Sequence, residues 1–119
     1  MRDFKQLKVW QKSHNLTLKA YKVTKAFPRE EIYGLTNQIR RASSSIPANI
    51  AEGCGMDGDA QFARFLQISM GSATELEYHF LLARDLGLID AATYNTLNDE
   101  LTQTKRMLTI FIQRVRARI

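Results

Sequence analysis

The stretch Arg41-Ala42-Ser43-Ser44-Ser45-Ile46-Pro47-Ala48-Asn49-Ile50-Ala51-Glu52-Gly53 (RASSSIPANIAEG) has the apolar spacing of a helix with a proline inside it. Ile39, Ala42, Ile46 and Ile50 recur at steps of three and four residues, the stripe of an amphipathic helix. Pro47 removes the N–H that would bond to the carbonyl of Ser43. Its ring also crowds that carbonyl, so a kink is predicted near Pro47. The hydroxyls of Ser43, Ser44 and Ser45 lie in the turn before it, where they can serve freed backbone groups. Ala48, Ala51 and Gly53 are small and allow a neighbouring helix to come close. The stretch reads as a bent, tightly packed helix.

Outward from this stretch, the second helix is predicted from about Glu30 to about Cys54, with Leu35, Ile39, Ala42, Ile46 and Ile50 facing the core. Phe27-Pro28 closes a first helix that runs from about Asp3 to Ala26, because the residue before a proline is pushed out of the helical region. Gly53, Gly55 and Gly58 mark a loop, with Asp57 and Asp59 as available caps for the next helix. That third helix is predicted from about Asp59 to Leu86, with Phe62, Phe65, Leu66, Ser69, Ala73, Leu76, Phe80 and Ala83 at near-heptad spacing. Gly87 suits its C-terminal end, and Asp90 caps a fourth helix that runs to about Arg118. The fourth core face is Tyr94, Leu97, Leu101, Leu108, Phe111, Ile112 and Val115. No segment alternates like a strand. A link of about three residues between the third and fourth helices requires antiparallel neighbours. The expected fold is all-α: one antiparallel, up-down-up-down four-helix bundle spanning residues 1–119, with helices roughly 36 to 43 Å long at 1.5 Å per residue.

The first helix carries two apolar stripes. Phe4, Leu7, Trp10, His14, Leu18 and Tyr21 are read as its core face. Val9, Leu16, Ala20 and Val23 form a second stripe, roughly 150° away at 100° per residue. The third helix also has a second face, with Ile68, Leu82 and Leu86 beside Glu75 and His79. A monomeric bundle usually leaves such sides polar, so these stripes predict a subunit interface and a homo-oligomer.

Composition narrows the classes. The chain has 119 residues, 45% hydrophobic and 24% charged, which suits one globular domain. No run approaches the length of a membrane span, and the N-terminus shows no apolar signal region, so a cytoplasmic protein with no membrane partner is expected. Cys54 is the only cysteine and reads as a small packing residue, without a disulfide or cysteine-based zinc site. Charge is segregated. Residues 1–41 hold ten basic and three acidic residues, residues 42–100 two and nine, and residues 101–119 five and none. One reading is a set of solvated faces; the other is a basic surface for an anionic partner, most simply RNA or DNA.

Lys5, Lys8, Lys12, Lys19 and Lys22 form a row between the two stripes of the first helix. In an up-down bundle, Arg2, Lys5 and Lys8 approach Arg114, Arg116 and Arg118, and together these basic residues are the candidate nucleic-acid surface. The preference of cations for a helix C-terminus already accounts for Arg114 to Arg118. It does not account for lysines spread along the whole first helix. Binding through phosphates carries little sequence selectivity. No nucleophile pattern, phosphate loop or dinucleotide fingerprint is present, so no enzyme, catalytic residue or cofactor is expected. Glu75 and His79 are four residues apart, without the Glu-x-x-His spacing of bundle metal sites, so no metal is expected either.

The motifs carry a family resemblance. They are FKQLKVW (Phe4–Trp10), Phe27-Pro28 with Glu31, Tyr33-Gly34-Leu35-Thr36 with Gln38, and Arg40-Arg41-Ala42. They continue with SIPANIAEG (Ser45–Gly53), Phe62, Phe65-Leu66, Gly71-Ser72 and Glu75-Leu76-Glu77. In this order they cover almost the whole chain, which resembles the small bacterial four-helix-bundle proteins known as rRNA intervening-sequence proteins. The loop GMDGD (Gly55–Asp59) departs from the pattern, where a more basic, serine-containing loop is expected, so no role is carried onto it. The resemblance implies an antiparallel four-helix bundle. Relatives such as the accessory variability determinant of diversity-generating retroelements form ring-shaped homopentamers with basic surfaces. Nucleic-acid binding is proposed for the group, and no enzymatic activity is established. The polar residues of these motifs, Arg40, Arg41, Asn49, Glu52, Glu75 and Glu77, are expected in buried or interfacial hydrogen bonds and ion pairs, and Pro47 in packing. The alternative function is a protein-binding scaffold that uses exposed apolar stripes, sensitive to a charge at Leu16 or Leu82.

Overall fold

The computed structural model describes residues 2–119. Four α-helices, α1 (Lys8–Thr24), α2 (Leu35–Cys54), α3 (Gly58–Asp85) and α4 (Ala91–Ala117), pack as a bundle with no strand among the described residues. Side-chain bonds pair rising with falling residue numbers: Thr17 and Thr24 of α1 meet Ser43 and Arg40 of α2, and Ser45 and Ile46 of α2 meet Ser72 and Ser69 of α3. Each of these neighbours therefore runs against the other. The molecule measures 45 × 23 × 20 Å.

The helix ends have local causes. Asp3 accepts from the Lys5 amide and caps a 3₁₀ turn at Phe4–Gln6. Leu7 is then extended, so α1 starts at Lys8 rather than near Asp3. A second 3₁₀ turn, Arg29–Glu31, fills the residues predicted to open the second helix. Gly34 breaks the run, and the Glu31 carboxylate accepts from the Leu35 amide at the start of α2. At the end of α3, Gly87 has φ of +77°, and the Leu88 amide reaches back to the Ala83 carbonyl, the left-handed glycine closure that the sequence predicts. Asp90 caps α4 through the Thr93 amide at 2.7 Å. Asp57 sits at the N-cap of α3 but makes no side-chain cap bond.

The core faces of α2, α3 and α4 follow their predicted stripes, with Phe65, Tyr94 and Phe111 only partly buried. The face of α1 does not. Val9 is 4% and Leu16 1% exposed and both belong to the core, whereas Leu18 is 55% and Tyr21 40% exposed. The stripe read as a subunit interface is the one that packs inside; Val23 lies half-buried against it. The reason is the size of its companions. Ser13, Thr17, Ala20 and Thr24 complete the buried seam of α1 and let it approach α2 closely. The larger Phe4, Trp10 and Tyr21 are displaced to its flank. Close approach recurs between α2 and α3: a Cβ on Gly53 would lie 2.9 Å from Phe62 Cδ1.

The Ser43 carbonyl, left without a helical donor by Pro47, is not served by neighbouring serines. Ser43 and Ser44 each donate to the carbonyl three residues before them. The donor is Thr17 of α1, whose Oγ1 lies 2.8 Å from the Ser43 carbonyl oxygen and 3.0 Å from that of Ser13. On the other side of α2, the buried Ser69 hydroxyl donates to the Ile46 carbonyl at 2.9 Å. Pro47 thus opens an acceptor on α2 that the neighbouring helix fills.

Candidate nucleic-acid interface

The basic residues predicted to meet at one end of the bundle separate into two groups. In the first, Arg2 and Arg118 share the Asp59 carboxylate at the start of α3. Arg118 binds it through two nitrogens at 3.2 Å, and Arg2 also lies 4.2 Å over the Phe62 ring. The Arg118 hydrogen bond, with further help from Arg2, holds the Asp59 carboxyl below its ordinary value of 3.8. Arg116 donates to Gln67 of α3 at 3.2 Å. These arginines close the end of the bundle.

The second group lies along α1 and α4. Lys8 and Arg114 line one groove of about 360 Å³ with Met107 and Ile110. Lys5, Lys8 and Lys22 are exposed and Lys12 is half-buried; none of the four forms an ion pair among the described residues. Lys19, on the same row, pairs with Glu100 of α4. Lys105 is held by Glu77 of α3 at 2.8 Å, which removes it from any free basic surface.

The polar family-motif residues divide in the same way. Arg40 crosses to α1, donating to Thr24 Oγ1 at 2.9 Å and stacking 4.8 Å over Tyr21, and Glu77 crosses to Lys105 of α4. Asn49 bonds within α2, to the Ser45 carbonyl and hydroxyl, and Glu75 within α3, to His79 at 3.0 Å. Arg41 and Glu52 are exposed and make no side-chain bond among the described residues. On the flank of α3, Ile68 is 43% and Leu86 58% exposed, while Leu82 packs partly against the core. Cys54 is buried, and burial raises its thiol pKa, so it stays a neutral packing group. No group of three or more potential metal ligands occurs among the described residues. Among the described residues, no helix is long and apolar enough to cross a membrane.

A family model for the 23S rRNA-intervening sequence protein matches residues 5–110. The chain belongs to this family. A crystal structure at 1.70 Å of a protein of unknown function, from the S23 ribosomal protein family of Bacteroides thetaiotaomicron VPI-5482, is similar to this intervening-sequence protein. It has a TM-score of 0.82 and 27% identity, over 87% of this chain and 97% of that one. No curated protein matches.

The Asp59 cluster has a pH signature. A carboxyl held low in the folded state stabilises fully above its ordinary value near 3.8, and that contribution fades as the pH falls through the lower folded value. Asp59→Asn is therefore expected to lower the thermal midpoint at pH 7. The gap to the wild type should close only below about pH 3.8 in melts followed by circular dichroism. A gap that persists unchanged in acid would remove the ion cluster as its cause.

Proposed function

We propose that this intervening-sequence protein is a nonenzymatic, cytoplasmic accessory protein that binds the phosphate backbone of RNA or DNA through the α1 lysine row and Arg114. The observation that carries the reading is the row itself: Lys8, Lys12 and Lys22 lie on one face of α1, Lys5 stands in the 3₁₀ turn before it, and none has an ion-pair partner among the described residues. A helix dipole favours cations only in the last turn, so it does not explain lysines at both ends of α1. Arg116 and Arg118 are occupied by Gln67 and Asp59 and contribute less than Lys8 or Arg114.

We further propose a homo-oligomer, a pentamer by the family resemblance. The half-exposed flank of α1, with Trp10, Leu18 and Tyr21 against Pro47, Ala48 and Ala51 of α2, borders an open apolar groove of about 490 Å³ and is the face a neighbour would cover. The test is light-scattering mass on size exclusion combined with binding of mixed-sequence RNA and duplex DNA across a salt series. Replacing Lys5, Lys8, Lys12, Lys22 and Arg114 by Gln should make log affinity fall less steeply with log salt, by about 0.9 for each duplex phosphate that is no longer neutralised. The Arg116→Gln, Arg118→Gln pair should change the slope less. An unchanged slope in the lysine variant rejects the surface, and a wild-type monomer rejects the oligomer. If the oligomer ignores nucleic acid at every salt concentration, the protein-scaffold reading takes its place.

A further inference from the structure

On the side of the molecule formed by α2 and α3 lies a third, quite different cavity of about 580 Å³. Its volume is in the range of small-molecule sites, roughly 300 to 1,000 Å³. Its floor is polar and fixed. Ser45 Oγ of α2 lies 2.8 Å from Ser72 Oγ of α3, and Asn49 Nδ2 donates to Ser45 Oγ at 2.9 Å. Its rim is polar and free. Asn37, Gln38 and Arg41 on α2 are at the rim and make no side-chain bond to protein among the described residues. Tyr33, in the connection before α2, also lines the cavity and is 95% exposed. The opposite wall is Glu75, oriented by its bond to His79.

An aromatic ring this exposed keeps its π-face free for a base to stack on, and a guanidinium without a carboxylate partner is open to an anion. The groove offers these two groups beside amides that both donate and accept, and a carboxylate that accepts only. One ligand class combines the complementary parts: a ring with a π-face, an edge bearing N–H donors and acceptors, and a phosphate. We propose that this groove seats one nucleotide of a single strand, with its base stacked on Tyr33, its edge read by Asn37, Gln38 and Glu75, and its phosphate on Arg41. A carboxylate in this position selects bases that present an amino or imino N–H. In a duplex, that edge and the π-faces are already paired and stacked, so the groove distinguishes single from double strands. The proposal rests on the nucleic-acid reading above but uses the other side of the bundle, and its cation is not among the α1 lysines.

The experiment measures anisotropy of a short labelled single strand of mixed sequence and of the matching duplex, with wild type and variants. Tyr33→Ala and Arg41→Gln should each weaken the single strand, the first by about fivefold to 150-fold, and leave the duplex unchanged. Tyr33→Phe keeps the ring and should bind as wild type. The Lys8→Gln, Lys12→Gln, Arg114→Gln protein should weaken both ligands. Both groove residues are exposed, so thermal melts should not move. Single-strand affinity unchanged by Tyr33→Ala overturns the groove and leaves the lysine surface standing. Equal weakening of both ligands by the groove variants also overturns it. A wild type that binds neither ligand overturns both proposals together.

Discussion

Replacing Leu16 by aspartate is expected to leave no cooperatively folded protein at 25 °C, while Leu18→Asp folds normally. Leu16 is 1% exposed in the centre of the bundle and Leu18 is 55% exposed two residues later. Truncating a buried leucine to alanine alone costs about 2 to 5 kcal/mol. A carboxylate there must also be desolvated or protonated, with no polar partner, which costs more. Against a total stability of about 5 to 15 kcal/mol, the sum removes most or all of the folded population. Within one subunit the Leu18 side chain already meets water, so the change should alter that subunit's own stability by no more than about 0.5 kcal/mol. Thermal melts by far-ultraviolet circular dichroism, with near-ultraviolet signal from Trp10, separate the two outcomes. The reverse pattern would mean that α1 is rotated by roughly 200°, the angle between residues two apart on a helix.

The second large effect is conditional. Thr17→Val keeps the side-chain shape and removes the donor to the Ser43 carbonyl, which has no helical N–H because residue 47 is proline. An orphaned buried acceptor costs about 1 to 3 kcal/mol. In a Pro47→Ala background the backbone N–H returns, so the same Thr17→Val change should cost less than half as much. Urea unfolding of the four proteins measures the coupling, expected at about 0.5 to 3 kcal/mol for groups in direct contact. Equal costs in both backgrounds would mean that Thr17 contributes only packing. In Pro47→Ala by itself two effects oppose each other: alanine is the better helix former, and the buried Pro47 ring fills space beside α1.

Much of this was legible in the residues. The turn between α3 and α4 announced itself through Gly87 and Asp90, because a left-handed glycine and an aspartate cap each have one strong local use. The stripe of α2 was equally clear, since isoleucines at helical spacing have no other natural place. The orientation of α1 was not legible by hydropathy. Trp10, Tyr21 and Phe4 carry far more apolar area than Ser13, Thr17 and Thr24, yet close helix approach selects the small residues for the seam. The start of α2 was missed because residues 30–34 are used in a 3₁₀ turn and a break at Gly34. In the candidate interface, the α1 lysines Lys8, Lys12, Lys19 and Lys22 were visible from spacing, whereas Lys5 falls in the 3₁₀ turn before α1. The capture of Arg2 and Arg118 by Asp59 was not, because it joins positions 57 and 59 residues apart. The polar groove of α2 and α3 was also missed: Asn37, Gln38 and Tyr33 acquire meaning only once Ser72 and Glu75 stand opposite them.

The hydroxyls that cross into α2 have a consequence for uniqueness as distinct from strength. A seam of leucines tolerates one helix sliding a turn along another, since one apolar contact replaces the next. A hydroxyl aimed at a carbonyl across the seam does not, because sliding strands one buried atom of each pair, the Ser43 carbonyl in one and the Ser69 hydroxyl in the other. Thr17 from α1 and Ser69 from α3 bond to the carbonyls of Ser43 and Ile46, less than one turn apart on α2. The midpoint of α2 is therefore the ruler against which both neighbours take their axial position, and the proline beside it marks the graduation.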